Sequence, residues 1–71
     1  MKHNELVRKV RGAAKRAGRD WWLVREGGDH EYWMCGATKV AIPRHREVGD
    51  RTAVRVLRDL EPELGEDWWK R

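Results

Sequence analysis

Residues 21–43, WWLVREGGDHEYWMCGATKVAIP, decide the fold, because two short turns separate three runs of β-favouring residues there. The turns are residues 27–29 (Gly-Gly-Asp) and residues 36–37 (Gly-Ala), and glycine readily adopts the positive φ that tight hairpins need. Pro43 ends the third run, since proline has no N–H to donate to a strand ladder. The stretch therefore predicts a three-stranded antiparallel meander.

The first of these runs alternates with the period of two that is typical of a strand. Strict alternation predicts that Trp21, Leu23 and Arg25 share one face of the sheet. Trp22 and Val24 then lie on the other face. We expect helices to cover one face of the sheet and the other face to be partly exposed.

A helix precedes the strands over residues 4–17. Its apolar positions recur at helical spacing and form one stripe: Leu6, Val10, Ala13, Ala14 and Ala17. Asn4 is a candidate N-cap, and Gly18 is a candidate residue for ending the helix. The opposite face is basic and consists of Arg8, Arg11, Lys15 and Arg19. A basic face of this kind is either a solvated surface or a contact for an anion.

A second helix follows the strands and begins at about Asp50 or Thr52. Its predicted inward positions are Ala53, Val56, Leu57 and Leu60. Pro62 is expected to end it, because proline cannot continue a helix. The element order is therefore α-β-β-β-α. This order predicts an α+β domain with two helices packed on one face of a three-stranded antiparallel sheet.

The length of 71 residues allows one domain, residues 1–71, and no separate catalytic lobe. We expect its core over about residues 4–61 and an acidic tail over residues 62–71, in which two tryptophans fold back as a short helical turn. Cys35 is the only cysteine, which excludes an intramolecular disulfide. No apolar run approaches the ~20 residues that span a bilayer, and the first residues lack a signal-peptide pattern. The sequence predicts a cytoplasmic protein with no membrane partner.

Charge indicates the kind of partner. The chain has 16 basic and 12 acidic residues, which gives a net charge of +4. Residues 1–26 carry eight basic and three acidic side chains, whereas residues 59–71 carry two and five. Most of the basic residues are arginines, whose planar guanidinium suits phosphate. A nucleic acid is the anionic partner that this pattern favours, although a solubilising surface has the same composition.

Few residues could carry a reaction. The chain has no serine, which excludes a Ser-His-Asp hydrolase, and its histidines and cysteine match no metal-ligand spacing. His30 opens the second strand directly after a glycine turn, and imidazole transfers protons near neutral pH. We expect His3 to lie in a frayed terminus and His45 in the connection that follows the third strand. Cys35 is expected to be buried, on the face opposite His30.

A single well-held histidine on a basic domain matches RNA strand cleavage without a metal or cofactor. The 2′-hydroxyl of RNA attacks its own phosphodiester, so the protein needs to supply only proton transfer and positive charge. Acid–base assistance of this kind contributes ~10²–10⁴-fold to the rate. A histidine that is merely hydrogen-bonded to its own turn is the simpler interpretation of the same position.

Three motifs together resemble the HicA family of bacterial toxins, over about residues 5–60. They are GDHEY at residues 28–32, VAIPRH at residues 40–45 and TAVRVLR at residues 52–58. The resemblance implies a fold like that of a double-stranded-RNA-binding domain and cleavage of messenger RNA. It also implies neutralisation by a HicB-like antitoxin that covers the active face.

In and just before the first motif, Arg25, Gly28 and His30 match the family pattern, and the resemblance makes His30 the catalytic histidine. The chain departs from the pattern at Asp29, where the family usually has serine, and at Arg51, where glycine is common. The carboxylate of Asp29 adds a negative charge that would repel a phosphate beside the histidine.

The leading hypothesis is a toxin-type, metal-independent endoribonuclease, monomeric alone and hetero-oligomeric with its antitoxin. His30 is its catalytic base or acid, and His45 is the best candidate for a second proton-transfer group. The predicted RNA-binding residues are Arg25, Gly28, Lys39, Arg44, His45 and Arg46. The alternative is a non-catalytic RNA-binding or protein-interaction module of the same fold. Four tryptophans exceed what so small a core can hold, and at least one is expected at the antitoxin interface: Trp22, Trp33, Trp68 and Trp69.

Overall fold

A computed structural model describes residues 1–70. Its elements are α1 (His3–Ala17), β1 (Trp21–Gly27), β2 (His30–Cys35), β3 (Thr38–Pro43), α2 (Asp50–Asp59) and α3 (Glu61–Leu64), followed by a 3₁₀ turn (Trp68–Lys70). The strands form one antiparallel sheet in the order β1-β2-β3. The predicted α+β class and the α-β-β-β-α order are confirmed.

The two long helices and the sheet share one hydrophobic core. Its buried members are Leu6, Val7, Val10, Ala13, Ala14, Cys35, Val40, Ile42, Val48, Ala53, Val56, Leu57, Leu60 and Trp68. All four predicted inward positions of α2 are buried, whereas Ala17 of α1 is exposed and does not join the core. Trp68 extends the core beyond residue 61, and its indole Nε1 donates a hydrogen bond to the Leu57 carbonyl at 2.8 Å.

A β-bulge at Val24 overturns the strict alternation predicted for β1. Leu23 pairs with Trp33 and Arg25 pairs with Tyr32, so Val24 is an extra residue without a partner on β2. Residues directly opposite each other on neighbouring strands point to the same face. The bulge therefore places Arg25 on the open face of the sheet, opposite the face that Leu23 shares with the helices.

The N-terminus is fixed against the connection between β3 and α2, so the prediction of a frayed terminus is wrong. Lys2 forms an isolated antiparallel bridge with Glu47. The backbone N–H of His3 donates to the Arg46 carbonyl at 3.0 Å. This pairing starts α1 at His3, and Lys2 rather than Asn4 occupies the N-cap position.

The helix ends follow the backbone chemistry of glycine and proline. Gly18 adopts the left-handed conformation with φ 70°, and its N–H bonds to α1 carbonyls, as predicted. α2 ends at Asp59, before Pro62 is reached. Pro62 instead lies in the first turn of α3. The N–H groups of a first turn have no acceptor within the helix, so the N–H that proline lacks costs no hydrogen bond there.

Candidate functional site

The open face of the sheet carries the predicted catalytic histidine. His30 lies opposite Gly27 on β1 and Pro43 on β3, at the end of the sheet next to the β1–β2 turn. Its ring centroid is 6.5 Å from that of Tyr32. The guanidinium carbon of Arg25 lies 4.3 Å above the Tyr32 ring, in a cation–π contact. The bulge in β1 thus brings Arg25 to the same face as His30.

The backbone around His30 is held by the turn before it and by the segment after β3. Gly28 has φ 57°, a left-handed conformation that favours glycine, which explains the residue at this position. The N–H of Arg44 donates to the Asp29 carbonyl at 2.7 Å. The Arg44 guanidinium approaches the Gly28 carbonyl at 3.5 Å. Arg44 and Gly28 are therefore brought together beside His30, as the sequence hypothesis requires.

The imidazole of His30 is partly buried. Within residues 1–70 it makes no hydrogen bond, so both ring nitrogens are available to a ligand. Asp29 is exposed in the preceding turn. His30 therefore has no partner among residues 1–70 that fixes its tautomer.

Lys39 does not meet His30. It pairs with Met34 near the other end of β2 and is exposed on the open face. Four residues separate Met34 from His30 along the strand, which corresponds to roughly 13 Å at ~3.3 Å per residue. Lys39 is therefore not brought next to His30, although both residues lie on the open face.

A second polar site lies where the N-terminus meets the segment after β3. It is a cleft of about 460 Å³, lined by Lys2, His3, Asn4, Glu31, Arg44, His45 and Arg46. Glu31 follows His30 on β2, and alternation along the strand puts its side chain on the opposite face of the sheet. His45 and Arg46 border this cleft together with Glu31.

His3 and Glu31 form a pair in the cleft that the sequence hypothesis missed. The His3 Nε2 donates to Glu31 Oε1 at 2.7 Å, and the two side chains are only 19% and 14% exposed. The indole Nε1 of Trp33 donates to the same oxygen at 3.1 Å. Glu31 thus orients the His3 ring through Nε2. The second polar atom of that ring, Nδ1, is not used in this hydrogen bond. Period-two alternation in β2 separates Glu31 from His30, but no local sequence pattern indicates that His3 returns to the sheet.

Cys35 is buried on the helix-covered face, away from His30, as predicted. Burial raises the pKa of its thiol, and the nearby Glu63 carboxylate raises it further. A thiolate nucleophile is disfavoured at this position. Among residues 1–70, no group of three His, Cys, Asp or Glu side chains is arranged to hold a metal ion. In the same part of the chain, no helix is long and apolar enough to cross a membrane.

Comparisons with models of protein families, with curated proteins and with solved structures found no match to this chain.

Proposed function

We propose that this protein is a metal-independent endoribonuclease and the toxin component of a toxin–antitoxin pair, similar to the HicA family. The observation that carries the proposal is the position of His30. Its ring is partly buried, makes no hydrogen bond within residues 1–70, and lies on the same face as the Arg25 guanidinium, next to a turn that Arg44 contacts. A proton-transfer group beside two arginines is what cleavage of a phosphodiester requires.

The proposed reaction uses the nucleophile that RNA itself supplies. One group removes the proton from the 2′-hydroxyl, the new bond forms between O2′ and phosphorus, and the bond from phosphorus to O5′ breaks. The products are a 2′,3′-cyclic phosphate and a 5′-hydroxyl, once a proton reaches the leaving oxygen. His30 performs one of these proton transfers, while Arg25 and Arg44 stabilise the charge that builds up on the phosphorane.

The architecture supports a likeness to double-stranded-RNA-binding domains, which we include in the proposal. The helices pack on one face of the sheet, and the open face carries Arg25, His30 and Lys39. These side chains face solvent along one side of the molecule, so an RNA strand can lie across the sheet from the β1–β2 turn toward Lys39.

A protein partner on the edge strand is also part of the proposal. Trp22, Leu23 and Val24 are consecutive on β1 and are 45%, 41% and 47% exposed. β1 is at the edge of the sheet, where unpaired backbone groups can accept a strand from another chain. A HicB-like antitoxin that binds here would cover apolar surface close to Arg25.

The test is cleavage of a labelled transcript by purified protein in the presence of EDTA. We expect the wild type to cut the RNA and His30→Ala to lose ~10²–10⁴-fold of the rate. Arg55→Gln, which changes an exposed side chain of α2 that has no part in the proposed site, serves as the control and should retain most of the activity. Equal cleavage by the wild type and His30→Ala would contradict the assignment of His30.

A second candidate function is RNA binding without cleavage. It is favoured by the exposed basic side chains of α1 and by the negative charge of Asp29 next to His30. A pure binding module would show affinity for RNA that falls steeply with salt, no products, and no growth defect on overexpression. A growth defect that His30→Ala relieves would exclude this second function.

A further inference from the structure

We propose that the cleft between the start of α1 and residues 44–46 binds a backbone phosphate of RNA, with His3 as a ligand that Glu31 positions. The inference rests on the proposed function for the identity of the ligand. It adds a phosphate subsite that is separate from His30 and lies on the other side of β2.

The charge around the cleft favours an anion. Its lining includes three cationic side chains, Lys2, Arg44 and Arg46, and a single carboxylate, Glu31. None of the three cations has a carboxylate partner within residues 1–70, whereas Glu31 already accepts hydrogen bonds from the rings of His3 and Trp33. The cleft therefore has an uncompensated positive charge and available N–H donors, which suit phosphate oxygens.

The geometry of His3 distinguishes the cleft from an ordinary basic surface. Its ring is mostly buried and is fixed through Nε2 by the 2.7 Å hydrogen bond to Glu31. Nδ1 makes no hydrogen bond to another residue in the described part of the chain. A protonated imidazole donates from both nitrogens, so His3 can bond to Glu31 and to a phosphate oxygen at the same time.

Arg44 connects the cleft with the site at His30. It lines the cleft, while its guanidinium approaches the Gly28 carbonyl in the turn that precedes His30. An RNA strand that passes over this turn would present one phosphate to His30 and a neighbouring phosphate to the cleft. Apart from Arg44, the residues of the cleft then contribute to substrate binding and not to the chemical step.

Binding is measured first, and on the His30→Ala protein, so that the result does not depend on cleavage. Fluorescence anisotropy with a labelled single-stranded oligoribonucleotide compares Lys2→Gln/Arg46→Gln with Arg11→Gln/Arg55→Gln, which removes the same charge from exposed helix positions. We expect Lys2→Gln/Arg46→Gln, the cleft pair, to weaken RNA binding about tenfold. The slope of the logarithm of the binding constant against the logarithm of the salt concentration should also fall, by the amount that corresponds to about one phosphate contact. An equal loss in the matched control pair would overturn the proposal.

Inorganic phosphate tests the same site without RNA. Nitrogen-detected NMR of the histidine rings should show phosphate shifting the His3 signals, and Lys2→Gln/Arg46→Gln should abolish that shift. Phosphate that shifts His3 while the cleft pair leaves RNA affinity unchanged would identify a site for free phosphate and overturn the RNA assignment.

His3→Gln separates ligand binding from a purely structural role. The glutamine amide can still donate to Glu31 but has no group equivalent to Nδ1. In the cleavage assay we expect His3→Gln to raise KM several-fold with kcat within twofold of the wild type. Unchanged KM would show that His3 is only structural, and a fall in kcat at unchanged KM would show that it acts in the chemical step. Either result would overturn the proposal. If the wild-type protein does not cleave RNA at all, only the proposed function is contradicted.

Discussion

His3 and His30 show how surroundings decide what an imidazole can do. His30 is positioned by its backbone, between the Gly28 turn and β2, and its ring centroid lies 6.5 Å from that of Tyr32. His3 is positioned through its side chain, because the carboxylate of Glu31 accepts from Nε2. A ring without a hydrogen-bond partner leaves both nitrogens to a ligand, whereas a carboxylate-held ring offers a ligand one defined nitrogen. The two histidines therefore suit different tasks on opposite faces of β2.

Cys35 provides a prediction about pH. Burial raises the pKa of its thiol in the folded protein above the ordinary value of 9.0. As the pH rises, the unfolded chain loses this proton first, so the contribution of Cys35 is complete below pH 9 and declines above it. The free energy of unfolding of the wild type should therefore fall above pH 9 relative to that of Cys35→Ala, by at most about 1.4 kcal/mol per pH unit. Urea unfolding followed by circular dichroism from pH 7 to pH 10.5 measures the difference.

The same burial predicts slow chemistry at Cys35. A thiol reagent such as iodoacetamide should react with the native protein far more slowly than with the protein in guanidinium chloride, because the thiolate is rare and covered. Parallel stability curves for the wild type and Cys35→Ala, or rapid labelling of the native thiol, would contradict a raised pKa.

The bulge in β1 makes a prediction about strand geometry. Leu23 and Arg25 pair with adjacent residues of β2, so removing Val24 leaves a regular ladder with every pair unchanged. We expect deletion of Val24 to lower the melting temperature by only a few degrees and to keep Arg25 on the open face. Deletion of Lys39 is the control: β3 has no bulge, so the loss shifts its register and moves core side chains to the wrong face. If both deletions abolish cooperative thermal unfolding, the bulge is a required part of the fold.

Local patterns explain why the order of elements could be predicted and the details of the site could not. Turn glycines and helical spacing depend on neighbouring residues, which is why residues 21–43 yielded the meander. The bulge at Val24 depends on how β1 pairs with β2. It places Arg25 on the open face with His30, whereas strict alternation would have placed Arg25 on the face of Leu23. The His3–Glu31 pair joins residues 28 positions apart. Such a contact requires the N-terminus to return to the β3–α2 connection, and no local sequence pattern predicts that return.

At the scale of the whole molecule, the cationic side chains of the cleft and the acidic α3 lie at opposite ends of the sheet. The β1–β2 turn and the β2–β3 turn lie at opposite ends of the meander. Glu63 of α3 accepts a hydrogen bond from Thr38 at 3.0 Å and pairs with Arg19 at 3.2 Å, which fixes α3 near the β2–β3 turn. The acidic α3 therefore lies at the end of the sheet remote from His30. In the proposed complex, an RNA strand at the β1–β2 turn would be attracted by the cations of the cleft without opposition from this carboxylate.

A domain of this size has few side chains to bury, so its stability depends on large residues that close the core. Trp68 is 8% exposed, and its Nε1 donates to the Leu57 carbonyl, so Trp68→Ala removes both packing and a hydrogen bond. We expect it to lower the free energy of unfolding by about 3–5 kcal/mol, against the total of about 5–15 kcal/mol usual for small domains. Trp22→Ala is the matched control: at 45% exposure it should change stability by no more than about 0.5 kcal/mol. Urea unfolding followed by far-ultraviolet circular dichroism compares the two variants. If Trp22→Ala destabilises the protein as much as Trp68→Ala, Trp22 is a core residue and its exposed indole is not available to an antitoxin. If Trp68→Ala has no effect, the core closes without the residues that follow α3.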